Sequence, residues 1–409
     1  MDNSRHPWRA FQSRNFRLYF VGHSISVVGS FMAQTALIWL VYTLTDSAAW
    51  LGGVQFVNQF STFVLLPVAG VLVDRWNRYY TLLVTQILFM FVSLFTGLLI
   101  LTDNIQAWEL LIVMFITGCI SAFDIPTRYS LIVQFVDRSQ DISNVVGLNS
   151  SIYGLARMIA PTIAGVVIAS VGTGMCFLID SLSSLAILAG LSLMQLPPQK
   201  YPFTKPQRLR QGLQEGIRYV MNFLPIRIVL LQVALVSMLV SGTTTLLPLF
   251  AKDVLHGDAV TLGFLSAAAA SGALLSTLYI STQTRLKRLS QLIGLGPILC
   301  GCALVMLGAS QTLLISLIAM FIGGFGFLLQ QSAGNALIQV VVQEEKRARV
   351  SSFYIMAFTG MGTIGSLLMG VLSSQIGASK TVFIGGVLCI VAAVWFFFEL
   401  PALQRQIER

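Results

Sequence analysis

Apolar runs of about twenty residues, broken by short polar stretches, recur from near residue 16 to residue 399, and each is long enough to cross the bilayer core as a helix. A helix is the required form, because lipid offers no partner for an exposed backbone N–H or C=O. The pattern predicts twelve spans, over 17–44, 48–73, 80–102, 107–125, 143–171, 175–196, 226–250, 260–282, 289–309, 312–334, 350–375 and 379–399. Connections as short as Asp46-Ser47 and Gly172-Thr173 force consecutive helices to run antiparallel as neighbours. The proline-rich, basic stretch 197–206 cannot be helical throughout, so it divides the chain into an N-terminal six-helix bundle (1–196), a linker (197–225) and a C-terminal six-helix bundle (226–409). Within the linker Leu209, Leu213, Ile217 and Val220 alternate with Arg210, Gln214, Glu215 and Arg218 at helical spacing, which predicts an amphipathic helix on the membrane face.

Composition narrows the class. Of the 409 residues 56% are hydrophobic and 10% charged, with a mean hydropathy of +0.80, too little polar surface for a soluble globule of this size. The net charge of +9 would fit a nucleic-acid partner if the bases were clustered without regard to the spans. Instead twenty-two of the 25 Lys and Arg residues fall in the termini and the even-to-odd connections, so the positive-inside rule accounts for them, and no nucleic acid is implied. Both termini are therefore expected in the cytoplasm. The first seventeen residues are polar and lack the apolar core of a signal peptide. The cysteines, Cys119, Cys176, Cys300, Cys302 and Cys389, lie in or beside apolar spans without metal spacing, so no metal is expected and packing roles are.

Charge inside a span is where chemistry is expected, since an unpaired ion there costs several kcal/mol. Arg157 sits near the middle of the fifth span, and Asn149, Tyr153 and Arg157 share a helical face. Asp180 on the sixth span falls at similar depth, so an Arg157–Asp180 pair is expected, either as a structural ion pair or as a site of substrate contact or proton coupling. Polar stripes predict cavity-lining positions: Gln34, Gln55, Asn58, Gln59 and Tyr153 in the first half, with Ser241, Gln330, Gln331 and Asn335 in the second. His23, near the inner surface, is expected to be interfacial.

Between the second and third spans stands Gly70-Val-Leu-Val-Asp74-Arg75-Trp-Asn-Arg78-Tyr, a charged decamer flanked by apolar runs. Its spacing resembles the signature loop of the Major Facilitator Superfamily, with Asn77 where that family usually has glycine. Residues 131–137 after the fourth span parallel residues 337–343 after the tenth, the parallel-repeat plan of the same superfamily. Pro161 and Gly165, in Ala160-Pro-Thr-Ile-Ala-Gly165, resemble the helix-5 motif of its exporters, and Glu215-Gly-Ile-Arg218, Leu247-Pro-Leu-Phe-Ala251 and Arg157-x-x-x-Pro161 are similar to the branch of enterobactin-type siderophore exporters and macrolide efflux proteins.

The resemblance implies an all-α fold of two pseudo-symmetric six-helix bundles, in which Gly70, Asp74, Arg75 and Arg78 form a gating hinge. Asp74 is expected at the start of helix 11 and Arg78 paired with Asp124. It further implies a monomeric transporter of a bacterial inner membrane that exports an amphipathic small molecule by alternating access. With no ATP-hydrolysing motif and no cofactor, the proton gradient is the expected energy source. The alternative is a lysophospholipid transporter. Gly360-x-Gly362-x-x-Gly365 fits a dinucleotide fingerprint but lies inside an apolar span, where it reads as a close-packing face. The histidines His6, His23 and His256 are too scattered for an enzyme site.

Overall fold

A computed structural model of the protein describes residues 9–73, 75–135, 141–195, 218, 220–283 and 285–407. Asp74 and residues 209–217 of the expected linker helix lie outside that set. Among the described residues twelve helices are long and apolar enough to cross a membrane. They are α1 (Arg14–Thr45), α2 (Ala48–Val73), α3 (Arg78–Leu101), α4 (Ala107–Ile132), α5 (Ile142–Val171), α6 (Thr173–Ser192), α7 (Leu224–Thr245), α8 (Ala259–Ser281), α9 (Leu286–Ala309), α10 (Leu313–Val341), α11 (Glu344–Ile376) and α12 (Ala378–Ile407).

Helix ends depart from the hydropathy reading where polar residues continue the helical spacing. The fourth and tenth spans run on past residues 125 and 334 to Ile132 and Val341. The seventh stops at Thr245, ahead of Pro248, and passes through a short turn into a π-helical turn at Phe250–Val254. Asn77 starts α3, because its side chain accepts hydrogen bonds from the Tyr79 and Tyr80 amides at 3.0 and 3.3 Å.

The chain separates into two compact units. One holds α1, α3 to α6 and most of α2; the other holds Asp46–Phe56, including the first turns of α2, with α7 to α12. In the first unit α1 and α6 touch backbone to backbone: a Cβ on Gly22 would stand 2.5 Å from the Ala186 carbonyl oxygen, and one on Gly29 would overlap the Ser183 hydroxyl. In the second, a Cβ on Gly365 would overlap the Met238 carbonyl, so this glycine face is indeed where α11 closes on α7. The exterior carries large apolar side chains such as Phe91, Leu314 and Phe398, the surface that a hydrocarbon solvent favours.

Candidate functional site

Four helices of the first unit converge on one buried carboxylate. On α4, Asp124 and Arg128 stand one turn apart, and Arg128 donates to Asp124 Oδ2 from Nη2 at 2.7 Å and from Nε at 3.1 Å. From α3 the Thr85 hydroxyl and the Gln86 amide donate to Asp124 Oδ1 at 2.9 and 2.8 Å. From α1 His23, only 1% exposed, brings Nδ1 to 2.7 Å from Arg128 Nη1. Tyr19 stacks on the His23 ring with centroids 4.8 Å apart and donates its hydroxyl to Asn149 on α5, while Tyr153 meets the ring edge-on. Charges out of water persist where each is paired and its remaining lone pairs or protons are hydrogen-bonded, and Asp124 meets both conditions.

Two expectations change here. The partner of Asp124 is Arg128 and not Arg78: α4 runs two turns beyond the predicted end, which turns a supposed loop base into an i, i+4 partner of the acid. His23 is not interfacial, because the helices around it close over the ring. Arg128, Thr85 and Gln86 carry no sequence signal as site residues beyond the i, i+4 spacing of Asp124 and Arg128.

The second centre is Asp180, 6% exposed on α6. Its carboxylate accepts from the Ser30 hydroxyl of α1 at 3.0 Å and from the Ser93 hydroxyl of α3. The expected pair with Arg157 does not form. Asp180 faces α1 and α3, whereas Arg157 is exposed, with its guanidinium 5.6 Å from the centroid of the Phe31 ring. The polar stripe on α5 does share a face, and that face meets α1: Asn149 contacts Tyr19, Tyr153 contacts His23 and Arg157 contacts Phe31.

The other polar positions divide. Ser30 and Gln34 on α1, and Asn335 on α10, are exposed. Gln55 and Gln59 are half-buried, as is Ser241, which lies beside Gly362. Asn58 ties α2 to α4 by donating to the Met114 carbonyl at 3.1 Å. Gln330 and Gln331 do not line an open surface; they are 1% and 8% exposed inside the second unit, since α10 turns them toward α9 and α11. Gln331 accepts from the Tyr354 hydroxyl at 2.8 Å, but among the described residues its Nε2 has no partner, nor does Nε2 of Gln330 or either polar atom of Gln232. Pro161 and Gly165 are buried in α5, and Gly70 has open space at its Cα.

The profile of the transmembrane secretion effector family matches residues 5–408. The chain belongs to this family of the Major Facilitator Superfamily. It is similar to the staphyloferrin A transporter of Staphylococcus aureus, at 24% identity over 96% of this chain and 98% of that one. The macrolide efflux protein A of Streptococcus pyogenes is 21% identical over 93% and 94%, and the multidrug efflux pump Tap of Mycobacterium tuberculosis 24% identical over 93% and 92%. Among solved structures, a bacterial homologue of the human lysosomal transporter Spinster superposes with a TM-score of 0.76 at 15% identity, covering 97% of this chain and 98% of that one. The nucleoside transporter NupG superposes at 0.73 and 12% identity, covering 95% and 99%. The fold is thus the all-α, twelve-helix fold of that superfamily, and the protein is a multi-pass membrane transporter of the efflux type, not an enzyme.

Proposed function

We propose that the protein is a proton-coupled exporter of an amphipathic small molecule, working as a monomer by alternating access in a bacterial inner membrane with both termini in the cytoplasm. One observation carries the proton step. Asp180 is a carboxylate inside a span whose partners among the described residues are two hydroxyls and no cation, so gaining or losing one proton changes its charge by a whole unit with nothing to offset it. Ser30, exposed and bonded to Asp180, is the route by which that change is felt at the surface of α1. Nearby, Arg157 over Phe31 presents a cation beside an aromatic face, with Gln34 on the same helix as Phe31; a ligand with one polar and one apolar side suits this surface.

The remaining roles follow from this reading. Gly70, Asp74, Arg75 and Arg78 form the hinge that opens and closes the cytoplasmic side, and the Asp124 network holds α1, α3 and α4 together during that motion. Pro161 and Gly165 let α5 bend. The relatives named for staphyloferrin A and macrolides support a substrate of the siderophore or drug class.

The test is accumulation of a radiolabelled macrolide in inside-out vesicles under an imposed pH gradient. Wild-type protein should accumulate it only with the gradient present, and Asp180→Asn, at equal folded yield, should lose that dependence. Accumulation that ignores the gradient, or that survives Asp180→Asn, overturns the proposal. Gradient-free movement of a labelled lysophospholipid in the same vesicles would favour the lipid-transport alternative.

A further inference from the structure

We propose that Arg157 is the anion-recognition residue of the transport path, and that the cargo is an amphiphile whose polar end carries a carboxylate or a similar anion. The inference rests on the exporter reading and names the charge of what is exported. Arg157 stands at the middle of α5 (Ile142–Val171), so a hydrocarbon core of about 30 Å extends about 15 Å to either side of it. That is too far for a guanidinium to snorkel to the headgroups. The lipid-facing side of α5 is elsewhere: the exposed apolar residues Leu155, Ile159 and Val166 lie about 160° to 180° around the helix from Arg157 at 3.6 residues per turn. Arg157 is nonetheless exposed, and an ion at this depth is tolerated only where it faces protein or water. It therefore opens onto an aqueous space within the span.

The described residues supply no fixed counter-ion at this depth. In the first unit Asp124 is held by Arg128, Asp141 by Arg9, and Asp180 by Ser30 and Ser93, while Asp103 and Glu109 stand at the junction of α3 and α4. In the second unit no acidic residue falls in the middle third of any helix from α7 to α12. Arg157 makes its ring contact with Phe31, and none of its five N–H donors meets an acceptor among the described residues. A guanidinium stacked on a ring keeps its donor edge free, and that edge matches the two oxygens of a carboxylate. Phe31 and Val28, half-buried around Val27 and Ile152, offer the apolar surface for the rest of the molecule. A cation with no partner in the protein is thus placed where one can arrive and leave with the cargo. A neutral or cationic head gains nothing from it. The macrolide of the vesicle assay, whose amine is cationic, engages this surface through its apolar body and is expected to be the weaker ligand.

Calorimetric titration of the full chain in nanodiscs tests this without a gradient. Three probes share one biphenyl body and differ in the head: biphenyl-4-acetate, its amide and the corresponding amine, each corrected for binding to empty nanodiscs. On the wild type the acid should bind about tenfold more tightly than the amide, the increment of one charge-assisted contact, with the amine weakest. Arg157→Gln should bring the acid down to the level of the amide and leave the amide unchanged, whereas Arg157→Lys should keep most of the preference. Displacement of the acid by lysophosphatidylglycerol from the wild type but not from Arg157→Gln supports the site with a lipid headgroup as its anion; no displacement supports it with a small-molecule acid. Equal affinity for acid and amide in the wild type, or a preference for the acid that survives Arg157→Gln, overturns the proposal. The wild-type comparison needs no substitution, so it decides even where a variant folds poorly. If macrolide accumulation ignores the gradient while the acid is still preferred, the coupling reading fails and the anion site stands; gradient-driven accumulation with no preference for the acid fails the anion site alone.

Discussion

The two units meet one packing problem with different chemistry. Residues 206 positions apart correspond: α4 begins at Ala107 and α10 at Leu313, and the parallel heptads begin at Leu131 and Leu337. At that offset Asp124 becomes Gln330, Arg128 becomes Gly334 and His23 becomes Val229. The contact itself is kept, since a Cβ on Gly334 would stand 3.5 Å from Val229. The first unit thus joins its first and fourth helices through a buried acid, base and imidazole, while the second joins the corresponding pair through a glycine and a valine, with amides nearby. At this contact the ionised groups belong to the first unit, and the second keeps the geometry without the charge.

The sharpest way to break this contrast is to remove the acid. Asp124→Leu leaves Arg128 buried without its counter-ion and should cost about 3–5 kcal/mol, seen as collapse of folded yield in size-exclusion chromatography. Adding Arg128→Leu should recover much of it, whereas Gln330→Leu, the equivalent change in the second unit, should leave the yield near wild type. Next in size is Gly365→Ala, which drives a methyl into the Met238 carbonyl and should lower thermal stability by roughly 1–3 kcal/mol. Gln232→Leu should move the other way: deleting an amide buried without partners among the described residues should leave stability unchanged or raise it by about 1 kcal/mol in detergent melts. A fall larger than that would show the second unit's amides to be satisfied by something the protein alone does not provide. Phe31→Leu is expected to be smallest, about 0.5–1 kcal/mol of lost contact with Arg157, detectable as weaker apparent affinity for the macrolide of the vesicle assay rather than as a shifted melt.

The fold was legible because hydropathy and the distribution of bases depend on composition over whole spans, which tolerates errors of several residues at each end. The site was less so, because partner choice depends on which way a side chain turns. Arg157 and Asp180 lie at comparable depth on consecutive helices, yet the face of α6 that carries Asp180 looks toward Ser30 and Ser93. Depth along a helix can be counted; azimuth requires the neighbours. Arg128 was hidden for a simpler reason: hydropathy ends α4 where charge begins, and a pair at i, i+4 supplies its own neutralisation and lets the helix continue. Asn77 taught the same lesson at a helix start, where a departure from the superfamily's glycine proved to be an N-cap.

Gly29 has one more consequence. With no side chain there, α1 comes so near that a methyl would stand 3.0 Å from the Cα of Asp180, and the acid is positioned by two main chains. Asp180→Glu, conservative on paper, would carry the carboxylate past both serines with no slack in the helices to draw it back. Re-engineering this buried carboxylate therefore means redesigning position 29 together with position 180.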